Sequence, residues 1–334
     1  MKKILYISNY KKGIGGISAQ VEMFKKSMAS EEDYTTDIFS TKANSIARIY
    51  LFFQLLYVAR QYDILHIHSC SGWGMLPAIY GVIAGKLWHK RIIITYHGGG
   101  AADYFEKHGT FARRWLNRAD KVIVLNGYLE RVFAKYRIPC VVIPNVIELR
   151  GNIYVPKQEL HPHFISVRTL VELYRIDIIL QAYQRVLANY PDATLDILGD
   201  GDKRSDLEQY VARHNLTGVR FIGQVPNEKI YDYLSKNDIL LSAPMIDNMP
   251  VSIMEAMNAG LLVISSNVGG VPYMIEDGKS GLLFESGNAE QMAERMEWAL
   301  THQVECLQMI EKAHMVVQKY SWQQVRNQIL PLYA

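Results

Sequence analysis

The chain has 334 residues, 49% hydrophobic and 21% charged, which excludes an intrinsically disordered protein and leaves enough apolar mass for two cores. Its three cysteines, Cys70, Cys140 and Cys306, are too scattered for a disulfide framework or a zinc site. The longest apolar runs are about a dozen residues, too short to span a bilayer.

The formal charge of +3 conceals an asymmetry: residues 1–150 carry 21 Lys and Arg against 11 Asp and Glu, and the remainder 15 against 22. The basic half predicts contact with something anionic, a phosphorylated acceptor or a membrane surface. No nucleic-acid motif accompanies it, so nucleic acid is not expected as a partner. MKKILYISNY reads as a first strand and not as a leader peptide. The expected location is the cytoplasm, with peripheral contact at the inner face of the plasma membrane.

That strand runs into Lys11-Lys12-Gly13-Ile14-Gly15-Gly16 and a helix, ISAQVEMFKKSMA. A glycine-rich turn between strand and helix lets backbone approach a ligand. The third glycine of the dinucleotide fingerprint is missing, which argues against a dehydrogenase; Gly13 reads equally well as a tight turn. SIARIYLFFQLLYVARQY has helical spacing, with Arg48 and Arg60 near its ends. Such a helix ordinarily packs on a sheet, and a face left over would suit a membrane interface.

DILHIHS and RIIITYHGGG read as buried parallel strands carrying His66, His68 and His97. His97 ends its strand beside three glycines, where ligands of doubly wound sheets lie, and is a candidate to touch a sugar. His68 reads as a structural histidine. His-x-His mimics metal spacing, but no third ligand supports a metal, and none is expected. Lys107, His108, Arg113, Arg114 and Arg118 then cluster on one segment, as a solvated face or as a seat for an acceptor's phosphate. KVIVLN and CVVIPN end the first domain at about residue 150.

HFISVRTL opens a second set of strands and helices, followed by LDILGDGD, VRFIGQV and KNDILLSAP. The stretch from Ser242 to Phe284 organises the rest. A strand ends at Pro244, a loop carries Asp247, and Pro250 stands in the first turn of a helix that stops at Gly260. The N–H groups of Asn248, Met249, Pro250 and Val251 (the proline contributing only geometry) surround a helix tip suited to a diphosphate. Glu255, further along, can accept hydrogen bonds from the vicinal hydroxyls of a ribose. Taken alone, two carboxylates at this spacing are common and read first as a helix cap at Asp247 and a solvated Glu255.

The run DNMPVSIMEAMNAGLLVISSNVGGVPYMI resembles the signature of the retaining glycosyltransferases of the GT4 family: two acids eight residues apart, Ala-Met, Gly, an apolar strand and Gly-Gly-x-Pro. Asp247 stands where the family has a glutamate, and Tyr273 where it has another. The resemblance implies a GT-B fold, α/β, with two Rossmann-like domains facing each other across a cleft. These would be an acceptor-side domain over 1–150, a nucleotide-sugar-binding domain over 151–315 and a terminal helix, 316–334, crossing back. It implies that Gly15 and Gly16 face the donor diphosphate, that His97 and Asp247 hold the sugar, and that Glu255 grips the ribose. The backbone around Val225 would read the base. Arg168 matches the family's phosphate arginine. The lysine five residues on is absent, and Tyr174 and Arg175 occupy its neighbourhood, with Arg175 the candidate clamp. The expected partners are a UDP- or GDP-linked sugar and a saccharide or polyprenyl-diphosphate-linked acceptor, with no resident cofactor. An inactive nucleotide-sugar-binding scaffold and a nucleotide-sugar epimerase stand as the rival readings.

Overall fold

The structure, a computed structural model, describes residues 1–12, 15–149, 154 and 156–334. The chain divides into two units, Met1–Glu148 with Tyr320–Ala334, and Leu149–Lys319. The expected domain junction at residues 150 and 151 lies outside the described residues, as do Gly13 and Ile14.

The first unit alternates strand and helix: β1 (Lys2–Ser8), α1 (Gly16–Met28), β2 (Tyr34–Ser40), α2 (Ser45–Ala59), β3 (Ile64–Ser69), α3 (Leu76–Leu87), β4 (Arg91–Tyr96), α4 (Ala101–Leu116), β5 (Lys121–Val124), α5 (Gly127–Lys135) and β6 (Val141–Val142). All pairings are parallel, in the order β2-β1-β3-β4-β5-β6. Strands covered on both faces are buried at every position, as Ile64-Leu65-His66-Ile67-His68-Ser69 is, so the polar His66, His68 and Ser69 take hydrogen-bond partners inside.

The second unit repeats the scheme: β7 (His163–Val167), α6 (Ile176–Asn189), β8 (Thr194–Leu198), α7 (Arg204–Arg213), β9 (Val219–Gly223), α8 (Ile230–Leu234), β10 (Ile239–Ser242), α9 (Val251–Ala259), β11 (Leu262–Ser266), β12 (Leu282–Phe284), α10 (Ala289–Thr301) and α11 (Gln303–Val317). Its sheet, also parallel, runs β12-β11-β10-β7-β8-β9. In each sheet the chain order reverses once, between β1 and β3 and between β7 and β10. Helices there leave in opposite directions and open a crevice at the strands' carboxyl ends.

Because α11 continues to Val317, the chain returns to the first unit at Tyr320, not at residue 316. The last helix, α12 (Trp322–Tyr333), buries Val325, Ile329 and Tyr333 against Ile4, Tyr6 and Phe24. Glu31 fixes its start, accepting from Trp322 Nε1 at 3.1 Å and pairing with Arg326 at 2.7 Å. Among the described residues no helix is long and apolar enough to cross a membrane.

Candidate functional site

In the second unit the crevice lies between β7 and β10. Arg168 directly follows β7. Its guanidinium meets Asp247 Oδ2 at 2.8 Å, donates to Ser242 Oγ at 3.1 Å and lies over the Tyr174 ring at 5.0 Å. The Arg168 side chain is 9% exposed and that of Asp247 17%. Desolvating two charges offsets much of their attraction, so a largely buried pair is a poor device for stability alone. Arg168 Nε is also buried with no hydrogen-bond partner among the described residues, a donor left over for something else.

Two glycine turns allow this packing. Gly199 has a φ of 129°, and a Cβ there would sit 1.8 Å from the Arg168 carbonyl oxygen. Gly269, at 53°, would place a Cβ 2.0 Å from the carbonyl oxygen of Asp247. The Gly269-Gly270 pair thus supports the Asp247 loop from beneath, and Gly270 N–H donates to the same oxygen at 3.0 Å. Tyr273, in place of the family's acid, sits in the 3₁₀ turn that follows.

Helix α9 begins at Val251, two residues later than the sequence suggests, with Pro250 as its N-cap and Gly260 as its C-cap. No acid stands in its first turn, so the positive end of the helix is uncancelled except by Asp247. Asn248 and Met249 are buried beside it. The expected amide set needs one correction: Asn248 N–H donates to Asp247 Oδ1 at 2.8 Å and is engaged by its neighbour. Glu255 lies on α9, half-buried.

Arg175 departs from its expected place. Its backbone is left-handed, φ 47°, where it caps α6. From there its guanidinium grips Asp177, with Nε to Oδ1 at 3.0 Å and a terminal nitrogen to Oδ2 at 2.9 Å. That partner raises its pKa further. Tyr174, not Arg175, therefore covers Arg168, and burial pushes the Tyr174 hydroxyl's pKa up. Val225 follows Gly223 at the end of β9, two strands from β7 on the same edge.

In the first unit Gly15 caps α1 with a φ of 85°, and Gly16 begins that helix. His97 follows β4, its N–H on Ser69 O at 2.8 Å. Its Nε2 meets His68 Nδ1 at 2.9 Å, and the two rings stack at 5.1 Å. His68 in turn stacks on His66 at 4.7 Å. His66 reaches Thr95 Oγ1 at 2.8 Å and the Tyr333 hydroxyl at 2.6 Å. Burial lowers His66 and His97 to about 3 and His68 well below its usual value, so all three are neutral at physiological pH. His68 Nε2 is buried without a partner among the described residues. An orphaned lone pair costs less than an orphaned N–H, which assigns the His68 proton to Nδ1, donating to His97 Nε2. His68, expected as merely structural, orients His97. The register that sets His68 beside Thr95 on β4 is the signal that could have shown it.

The basic cluster (Lys107, His108, Arg113 and Arg114 on α4, with Arg118 just past its end) is exposed, and the helix kinks at His108. Among the described residues one histidine–carboxylate group has ligand atoms close together: His161, His163 and Asp238. It lies at the amino ends of β7 and β10, opposite the crevice, and Lys157 Nζ already binds Asp238.

Two parallel-sheet units, one with a buried guanidinium beside a helix N-terminus at its switch point, define an α/β protein of the Rossmann-like class. Residues 155–315 match the family described as glycosyl transferases group 1, and residues 31–150 match glycosyltransferase family 4. The two matches take up most of the chain, which belongs to this glycosyltransferase family and has its GT-B fold. The gpi3 subunit of the phosphatidylinositol N-acetylglucosaminyltransferase of Schizosaccharomyces pombe is 27% identical over 58% of this chain, which spans only 42% of that relative. An uncharacterized glycosyltransferase of Methanocaldococcus jannaschii is 22% identical over 96% of this chain and 95% of its own length. Among solved structures, HepE of Anabaena in complex with UDP-glucose superimposes with a TM-score of 0.80 at 17% identity, covering 99% of each chain.

Proposed function

We propose that the protein transfers a sugar from a UDP- or GDP-linked donor to a saccharide or lipid-linked acceptor with retention of anomeric configuration, in the assembly of a surface polysaccharide or glycoconjugate. The observation that carries this reading is Arg168, buried at the switch point beside the tip of α9 with Nε unused. Departure of a nucleoside diphosphate leaves negative charge on its terminal phosphate while the sugar becomes cation-like. A fixed guanidinium and helix amides in a water-poor crevice stabilise that charge without reorganising. Asp247, released from Arg168, is assigned the sugar hydroxyls, and Glu255 the ribose. Gly15, Gly16 and His97 keep the donor-side roles that the family implies. The edge at Val225, about 10 Å from β7 at two strand spacings, suits the base.

HepE was crystallised with UDP-glucose, which favours UDP as the first donor to test. No metal or cofactor is assigned a step. The acceptor's phosphate, where it has one, is assigned to the exposed cations of α4. Incubation with UDP-glucose, UDP-N-acetylglucosamine and GDP-mannose, with polyprenyl-diphosphate-linked acceptors present, should release UDP or GDP with one donor. The engagement of Arg175 by Asp177 favours a second reading, a donor-binding scaffold. Nucleotide binding by calorimetry with no turnover would select it, and no binding of any nucleotide would end both readings.

A further inference from the structure

A helix that covers a sheet turns its apolar stripe inward and its polar residues to water. On α2 the inward residues are as expected, with Leu55 and Ala59 in the core. The outward face is largely apolar, interrupted by Gln54. Ile49, Tyr50, Phe53 and Tyr57 recur there at helical spacing, with Tyr50 68% and Phe53 61% exposed. Nearby, Trp73 is 73% exposed and Trp88 is also exposed. The patch is continuous: Arg48 lies over the Trp73 ring at 5.1 Å, Phe53 touches Phe52 and through it Tyr80 of α3, and Trp88 Nε1 donates to Leu56 O at 2.7 Å. Single exposed apolar residues are ordinary, whereas a contiguous face of them marks an interaction site.

Charge says what covers it. Neither α2 nor α3 carries an acid, and Asp63 is the only acid in residues 45–91. Arg48 and Arg60 stand among the aromatics, Arg60 held over Tyr57 at 3.9 Å, while Lys86 turns toward Asp120 at 3.9 Å. Tyr and Trp, apolar rings with polar tips, favour the depth at which hydrocarbon meets head groups, and guanidinium and ammonium groups at that depth meet lipid phosphates. We infer that the outer face of α2, with Trp73 and Trp88, seats the first unit on an anionic lipid bilayer, α2 lying in the interfacial plane. Arg48 and Arg60, each over a ring and with no acid on α2 or α3 beside them, fit a fluid anionic surface better than a second copy or a shaped protein partner. The inference goes beyond sugar transfer and does not need it.

Flotation of the full chain with vesicles tests it, without donor, so that its failure and that of the sugar-transfer reading are separate results. The protein should float with equal parts phosphatidylcholine and phosphatidylglycerol, at least about tenfold more than with phosphatidylcholine alone, and less as salt rises. Phe53→Glu with Tyr57→Glu should lower anionic binding at least about tenfold, and Arg48→Gln with Arg60→Gln should bring it to the phosphatidylcholine level. Phe53, Tyr57 and Arg60 are exposed and Arg48 is half-buried against Trp73, so circular dichroism should match the parent. Should a variant misfold, the parent's fluorescence decides: vesicles should shift tryptophan emission to the blue, and Trp73→Phe should remove most of the shift. Parent protein left in the aqueous phase with both vesicles would overturn the seat, as would flotation unchanged in the double glutamate variant. A lipid-free dimer dissociated by Phe53→Glu would assign the face to a second copy instead.

Discussion

The two units solve one topology with opposite electrostatics. In each, parallel strands end at a switch point and loops present side chains beyond the carboxyl edge. The second unit places a buried ion pair there, Arg168 with Asp247. The first places a neutral stack, His66, His68 and His97, whose charges burial suppresses. A Rossmann-like edge thus dictates where chemistry sits and leaves its sign to a few residues. Fixed charge suits a leaving diphosphate; neutral imidazole, which both donates and accepts, suits sugar hydroxyls.

Removing the charged half should have the largest effect. Arg168→Ala strips the guanidinium from the crevice and leaves Asp247 without a counter-ion, and transfer should fall by about a hundredfold or more. Activity within about twofold of the parent would place the diphosphate elsewhere. On the neutral side, His68→Phe keeps the ring stack but takes the proton donor from His97 Nε2. A fall in kcat of about tenfold with an unchanged Tm is expected, and kcat equal to the parent's would make His68 mere packing.

Acid should distinguish the units next. A histidine buried neutral binds its proton only after unfolding, so the unfolded state takes up more protons between the ordinary value near 6.5 and the native value of about 3 for His66 and His97. Stability is therefore full above that window and falls as pH drops through it, by about 1.4 kcal/mol per pH unit for each such histidine. Urea midpoints at pH 7 and 5 should differ, and His66→Phe should reduce the difference; identical midpoints would mean that the histidines are hydrated. The smallest effect belongs to Arg175→Ala. Its guanidinium is occupied by Asp177, so transfer should stay within about threefold of the parent, and a larger loss would show that it swings onto the donor.

Much of this was legible in the residues. Pro250 and Gly260 bracket α9 because one fits a helix start and the other a helix end, and the apolar runs ending at His68, Tyr96 and Ser242 can only be covered strands. What escaped the sequence depends on contacts made across it. Arg175 turns to Asp177 because its backbone is left-handed at the head of α6, which an arginine does not advertise. The amide of Asn248 is taken by the preceding carboxylate, so the helix tip offers fewer donors than its length implies. The link from His68 to His97 follows from the pairing of β3 with β4. Whether α2 keeps a face over stayed open in the sequence, because a helix apolar on most sides does not say which of them points at water.

One consequence of the resting bond between Arg168 and Asp247 concerns ionic strength. An anion entering that crevice trades places with a carboxylate already held there on the neighbouring loop, so few mobile ions are liberated on occupancy. Nucleotide affinity should for that reason hold nearly level as sodium chloride is raised, while adhesion through Arg48 and Arg60, which face open water, weakens with every addition. A single titration series would then tell an internally neutralised cation from an advertised one.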